Sequence, residues 1–70
     1  MSHAIYVRDL GHARGSAPRL LAYAIEGRQT AERVIHGIVR SYPDCGQDPI
    51  SQVHWFRDQR GLHEMWVTPA

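Results

Sequence analysis

From Thr30 to Tyr42 the apolar positions Ala31, Val34, Ile35, Ile38, Val39 and Tyr42 recur at intervals of three and four. That spacing winds them into one stripe of an α-helix, and an apolar stripe has to be covered by something. Thr30 is placed to cap the first turn with its hydroxyl. Tyr42-Pro43 closes the last turn, because the residue before a proline is pushed out of the helical region. Ahead of the helix, His3 to Leu10 alternates, with Ile5 and Val7 to one side and Tyr6 and Arg8 to the other, as a half-buried strand does. In Arg19 to Glu26, Leu21, Tyr23 and Ile25 alternate with Ala22 and Ala24, and Gly27 breaks continuity with the helix. This stretch is read as a second strand pairing back on the first. Gly11 to Pro18, between the two strands, has two glycines, a proline and no apolar period. It reads as a loop carrying Arg14, with Arg19 just beyond it.

Beyond the helix, Pro43 to Pro49 reads as a loop and Ser51 to Thr68 as a second hairpin. Asp58-Gln59-Arg60-Gly61 fits a type I turn followed by a left-handed glycine, which makes a three-residue loop with a bulge. Pairing Asp58 with Leu62 then places Trp55 opposite Met65 and Val53 opposite Val67 on the helix side. His54 opposite Trp66 and Phe56 opposite Glu64 fall on the other side. A slip of one residue would exchange the two sets. The expected fold is α+β, a ββαββ single domain over residues 1–70, with an antiparallel four-stranded sheet and one helix packed on one face.

Composition narrows the functional classes. A chain of 70 residues buries only about 60% of the surface its unfolded form exposes, so a partner or a second subunit would add useful cover. No apolar run approaches the roughly 20 residues of a membrane helix, and Met1 to Leu10 lacks the form of a secretory signal, which together predict a soluble, cytoplasmic protein. Cys45 is the single cysteine, so an internal disulfide is excluded. The five histidines and Cys45 show none of the close spacings of a zinc site. Ser16 and Ser51 lack a nucleophile motif, and no glycine-rich phosphate loop follows a strand. Neither an enzyme nor a bound cofactor or metal is therefore expected.

All eight basic residues are arginine, although the net charge is only +1. GC-rich coding explains such a bias, and so does a recognition surface, since arginine presents a planar fork to carboxylates, phosphates and aromatic faces. One helix leaves the far side of the sheet uncovered. The expected register puts Tyr6, Arg8, His54, Phe56 and Trp66 there, the residue types of interface hot spots, with Arg14 and Arg19 at its border. Aromatics interleaved with arginine on an open sheet also suit unpaired bases, although Asp9, Glu26, Asp58 and Glu64 dilute the positive charge. Arg33, His36 and Arg40 fall on the helix side away from the apolar stripe as a basic ridge, with Glu32 and His36 spaced as an i, i+4 pair.

The opening strand Ala4-Ile-Tyr-Val-Arg-Asp-Leu10, the helix core Thr30-Ala-Glu-Arg-Val34, and the closing hairpin with Gly61-Leu62 followed by Trp66 resemble the layout of small phage-encoded anti-CRISPR proteins that act on type I surveillance complexes. The resemblance implies a non-enzymatic inhibitor that docks, as a monomer or homodimer, on a larger protein or ribonucleoprotein complex. A small single-stranded nucleic-acid-binding protein is the alternative reading.

Overall fold

In a computed structural model, which describes Ser2–Leu10 and Ala17–Pro69, five strands and one helix follow the order β1 (Ser2–Asp9), β2 (Arg19–Glu26), α1 (Arg28–Val39), β3 (Asp44–Gln47), β4 (His54–Asp58) and β5 (Gly61–Pro69). The strands form one sheet in the order β2-β1-β5-β4-β3, and every neighbouring pair is antiparallel. The α+β class, the single helix and the pairing of β2 on β1 follow the sequence pattern. The sheet has five strands rather than four, because the segment expected to be a loop from Pro43 to Pro49 contains β3. Its four residues, Asp-Cys-Gly-Gln, have no alternation long enough to betray a strand, and they pair with β4 from Asp44↔Arg57 to Gln47↔His54. No helix among the described residues is long and apolar enough to cross a membrane.

The helix begins two residues earlier than its apolar period and stops at Val39. Gly27, at φ 84°, stands at the N-cap with no side-chain capping bond, so Thr30 lies inside the helix rather than capping it. Ala31, Ile35 and Val39 form the buried line of α1, with Ile38 and Tyr42 packed at its side, while Val34 is 41% exposed. A helix turns about 100° per residue, which sets Val34 and Ile38 on one flank of that line and Glu32 and His36 on the other.

The β4–β5 hairpin departs from the expected register by one residue. Asp58 lies opposite Gly61, so the loop is the two residues Gln59-Arg60 without a bulge, and Phe56↔His63, His54↔Met65 and Trp55↔Glu64 follow from it. The Asp58 carboxylate accepts the Arg60 backbone N–H at 2.8 Å, a local bond that shortens the turn. Gly61 still takes a positive φ of 121°. Because side chains alternate along a strand, β4 turns over relative to expectation. Phe56 and His54 are buried beneath the helix, and Trp55 lies on the opposite face. Met65 and Val67 keep their expected side. The core is thus Ile5, Val7, Ala31, Ile35, Val39, Phe56 and Met65.

Ile35→Ala, at a fully buried site, should destabilise the fold by about 2 to 5 kcal/mol in denaturant melts, whereas Ile38→Ala at the rim should fall below that range. Equal costs at the two positions would contradict this packing.

Candidate interaction face and the histidine ties beneath it

At 1.5 Å per residue a twelve-residue helix is about 18 Å long and 10 Å across, while five strands spaced about 4.8 Å apart make a sheet roughly 19 Å wide. One helix therefore covers part of one face, and among the described residues no layer covers the other face. The register fixes what stands on it. One row across the sheet holds Leu20, Tyr6 and Trp66, and the next holds Arg8, Glu64, Trp55 and Gly46. A third holds Leu62, Arg57 and Asp44.

These residues are held in place by one another. The Tyr6 and Trp66 rings stack with centroids 6.2 Å apart and planes 18° apart. The Arg8 guanidinium lies 5.8 Å from the Trp66 ring centre, within cation–π range. Its Nη2 donates to Glu64 Oε1 at 2.6 Å, and its Nε is buried with no hydrogen-bond partner among the described residues. In the next row, Arg57 pairs loosely with Asp44 at 3.7 Å. Trp55 lies flat over Gly46, where an added Cβ would stand 2.8 Å from the indole, so only glycine lets the ring settle against β3. Beside Trp55 an open recess of about 390 Å³ is bordered by Pro49, Val53, Leu62 and Arg57. The Asp48 carboxylate shapes the loop at its rim by accepting the backbone N–H groups of Ile50 and Ser51, bonds that also hold its pKa below the usual carboxylate value.

Of the residues expected on this face, Tyr6, Arg8 and Trp66 come together as the register of β1 on β5 dictates. His54 and Phe56 do not join them, being buried under α1. Arg14 lies outside the described residues, and Arg19 pairs with Asp9 at 3.4 Å on the helix side. Trp55, Arg57, Leu62 and Glu64 take the vacated places. Nothing in the chain singled out Trp55, because Asp58-Gln59-Arg60-Gly61 suits a two-residue loop as well as a three-residue one, and only the shorter loop turns β4 over.

Beneath the helix the sheet carries two buried histidines tied to carboxylates. His63 meets Asp9 Oδ1 through Nδ1 at 2.6 Å and Asp58 Oδ1 through Nε2 at 2.8 Å. Acceptors on both ring nitrogens favour the doubly protonated imidazolium. Burial pulls the His63 pKa down, but the hydrogen bonds and charges of Asp58 and Asp9 more than reverse this, leaving it above its usual 6.5. The reciprocal bond from His63 holds Asp58 below its usual value, with help from the Arg60 N–H. The ring also stacks on Phe56, and Phe56 on Tyr42, with centroid separations of 4.8 and 4.2 Å. On the other side of the helix, His54 Nε2 lies 2.9 Å from Glu32 Oε2. That contact draws Glu32 to the sheet rather than to His36. Among the described residues, no group of three or more His, Cys, Asp or Glu side chains is arranged to hold a metal ion.

No family model matches the chain, and neither a curated protein nor a solved structure is significantly similar to it.

Two measurements check this arrangement. The raised pKa of His63 gives a stabilisation that is complete below its unfolded value of 6.5 and is lost as pH rises through the folded value. The lowered pKa of Asp58 gives one that is present above its unfolded 3.8 and is lost as pH falls through the folded value. Thermal melts should therefore show a maximum between about pH 4 and 6.5, and His63→Gln should flatten the decline on the alkaline side. Separately, Gly46→Ala should displace the Trp55 indole and shift the tryptophan emission while leaving the far-ultraviolet spectrum unchanged. An unaltered emission spectrum would show that Trp55 does not rest on Gly46.

Proposed function

We propose that the protein is a non-enzymatic interaction module that docks through the uncovered sheet face onto a larger protein or nucleoprotein assembly, and acts there as an inhibitor by occupying its surface. The observation that carries this reading is the preassembled cluster of Tyr6, Trp66, Arg8 and Glu64, flanked by Trp55. Rings and guanidinium are already fixed against one another, so little side-chain freedom is lost on binding. Large aromatics with an adjacent arginine, on a face that no other element covers, are the usual anchors of a protein interface. The inhibitory sense of the reading comes from the resemblance of short stretches of the sequence to small anti-CRISPR proteins.

The charge pattern favours a protein surface over a nucleic-acid strand at this face. Arg8 is matched by Glu64 and Arg57 by Asp44, so the face carries little excess positive charge to attract phosphates. Matched pairs of this kind suit an interface that selects its partner by shape and apolar contact.

The test compares the wild-type chain with Trp66→Ala and with Arg33→Glu as baits in a quantitative pull-down from host lysate, with and without nuclease. A partner retained after nuclease, retained by Arg33→Glu and weakened by Trp66→Ala by at least about 2 kcal/mol, or roughly thirtyfold, supports the reading. Denaturant melts of Trp66→Ala accompany the comparison and should show a loss well short of unfolding. Equal recovery of every partner by the wild type and Trp66→Ala would remove the sheet face from the function.

A further inference from the structure

The positive charge missing from the sheet face is on the helix. Arg28, Arg33 and Arg40 are exposed, and none of them takes part in an ion pair or hydrogen bond among the described residues. They stand five and seven residues apart, which places them about 7.5 and 10.5 Å apart along the axis at 1.5 Å per residue. Between α1 and the β3–β4 edge runs a concave strip. A cleft of about 510 Å³, lined by Arg28, Gln29, Arg33, His36 and Gln47, continues into a smaller one of about 170 Å³ that reaches Arg40, the two sharing His36, Gln47 and His54. The carboxylate in this strip, Glu32, faces inward to His54 at 2.9 Å. The first turn of α1 contains no acidic residue and has no side-chain cap, so its backbone N–H groups add to the positive end of the strip.

We infer that this groove grips the phosphate backbone of a nucleic-acid strand, without reading its sequence. The three unmatched arginines that border the groove are spaced over about 18 Å of helix axis, the axial length of roughly five phosphates at 3.4 Å each. The exposed apolar residue of the helix, Val34, lies on the opposite flank, so the groove offers charge and hydrogen-bond donors but no apolar anchor of the kind a protein partner needs. No aromatic ring other than imidazole lines it, which leaves bases unread and the backbone as the element recognised. This surface is separate from the sheet face and its assignment does not depend on the docking function proposed there.

The test is fluorescence anisotropy of the full chain with a labelled oligothymidine strand across a salt series. Binding that falls with log salt at a slope of about −2, from three phosphates at about −0.7 each, is the expected result. The triple variant R28Q/R33Q/R40Q, altered only at exposed positions and checked for an unchanged circular dichroism spectrum, should bind at least tenfold more weakly. Trp66→Ala should bind as the wild type does. The inference is overturned by an absence of binding at about 20 mM salt, or by equal affinity in the triple variant. It is also overturned by displacement of the strand by polyglutamate as readily as by unlabelled oligothymidine, which would assign the groove to an acidic protein.

Discussion

The length of one turn decides the chemistry of both faces of the sheet. With two residues between β4 and β5 instead of three, Asp58 stands opposite Gly61 and every side chain of β4 is committed to a side. Phe56 and His54 go under the helix, and Trp55 and Arg57 go outward. The turn is held at that length from both directions. The Asp58 carboxylate binds the Arg60 N–H across the loop, and the same oxygen receives His63 from the returning strand. His63 in turn reaches Asp9 at the end of β1, so the hairpin is fastened to the neighbouring strand β1 through one imidazole.

Much of this architecture was legible in the chain, because it follows from period. The stripe from Ala31 to Val39 forms a helix, and the alternation of β1 and β2 forms a paired hairpin with Ile5 and Val7 inward. What the sequence concealed were features without a period. Asp-Gly spacing around Gln59-Arg60 is compatible with two loop lengths that differ by one residue, and nothing in the flanking residues chooses between them. His54, placed on the open face by the expected register, is buried beneath the helix with Nε2 on Glu32, and His63 is buried with a carboxylate on each ring nitrogen. β3 is too short and too polar to alternate visibly, and it exists because β4 offers it a ladder. The three-residue loop put Trp55 on the helix side; the two-residue loop turns it outward, where the absence of a side chain at Gly46 lets the indole settle against β3.

A net charge near zero hides a division of labour among the arginines. On the sheet face each of the two arginines has a carboxylate neighbour, and Arg8 is further fixed by Trp66. On the helix, Glu32 is drawn inward to His54, and Arg28, Arg33 and Arg40 have no countercharge among the described residues. The partly buried Glu32–His54 contact thus shapes the outer electrostatics of the helix. The two sides of a 70-residue chain come to offer an apolar, charge-balanced surface and a cationic one. A nucleoprotein assembly presents complementary surfaces of both kinds.

The outer strand β2 has a bearing on how the molecule behaves in a crowded solution. Leu20, Leu21 and Tyr23 are 52, 48 and 73% exposed, and no charge interrupts the strand between Arg19 and Glu26. Such an edge invites copy after copy to add to the sheet and grow a fibre. Ala24, however, holds a left-handed φ of 58°, and the pairing of β2 with β1 shifts register twice along its length. An incoming strand finds no long run of evenly spaced N–H and C=O groups to match, so addition has no repeating step by which to propagate. The roughly 1 to 2 kcal/mol of strain in a left-handed alanine is then the safeguard that keeps a sticky edge from polymerising.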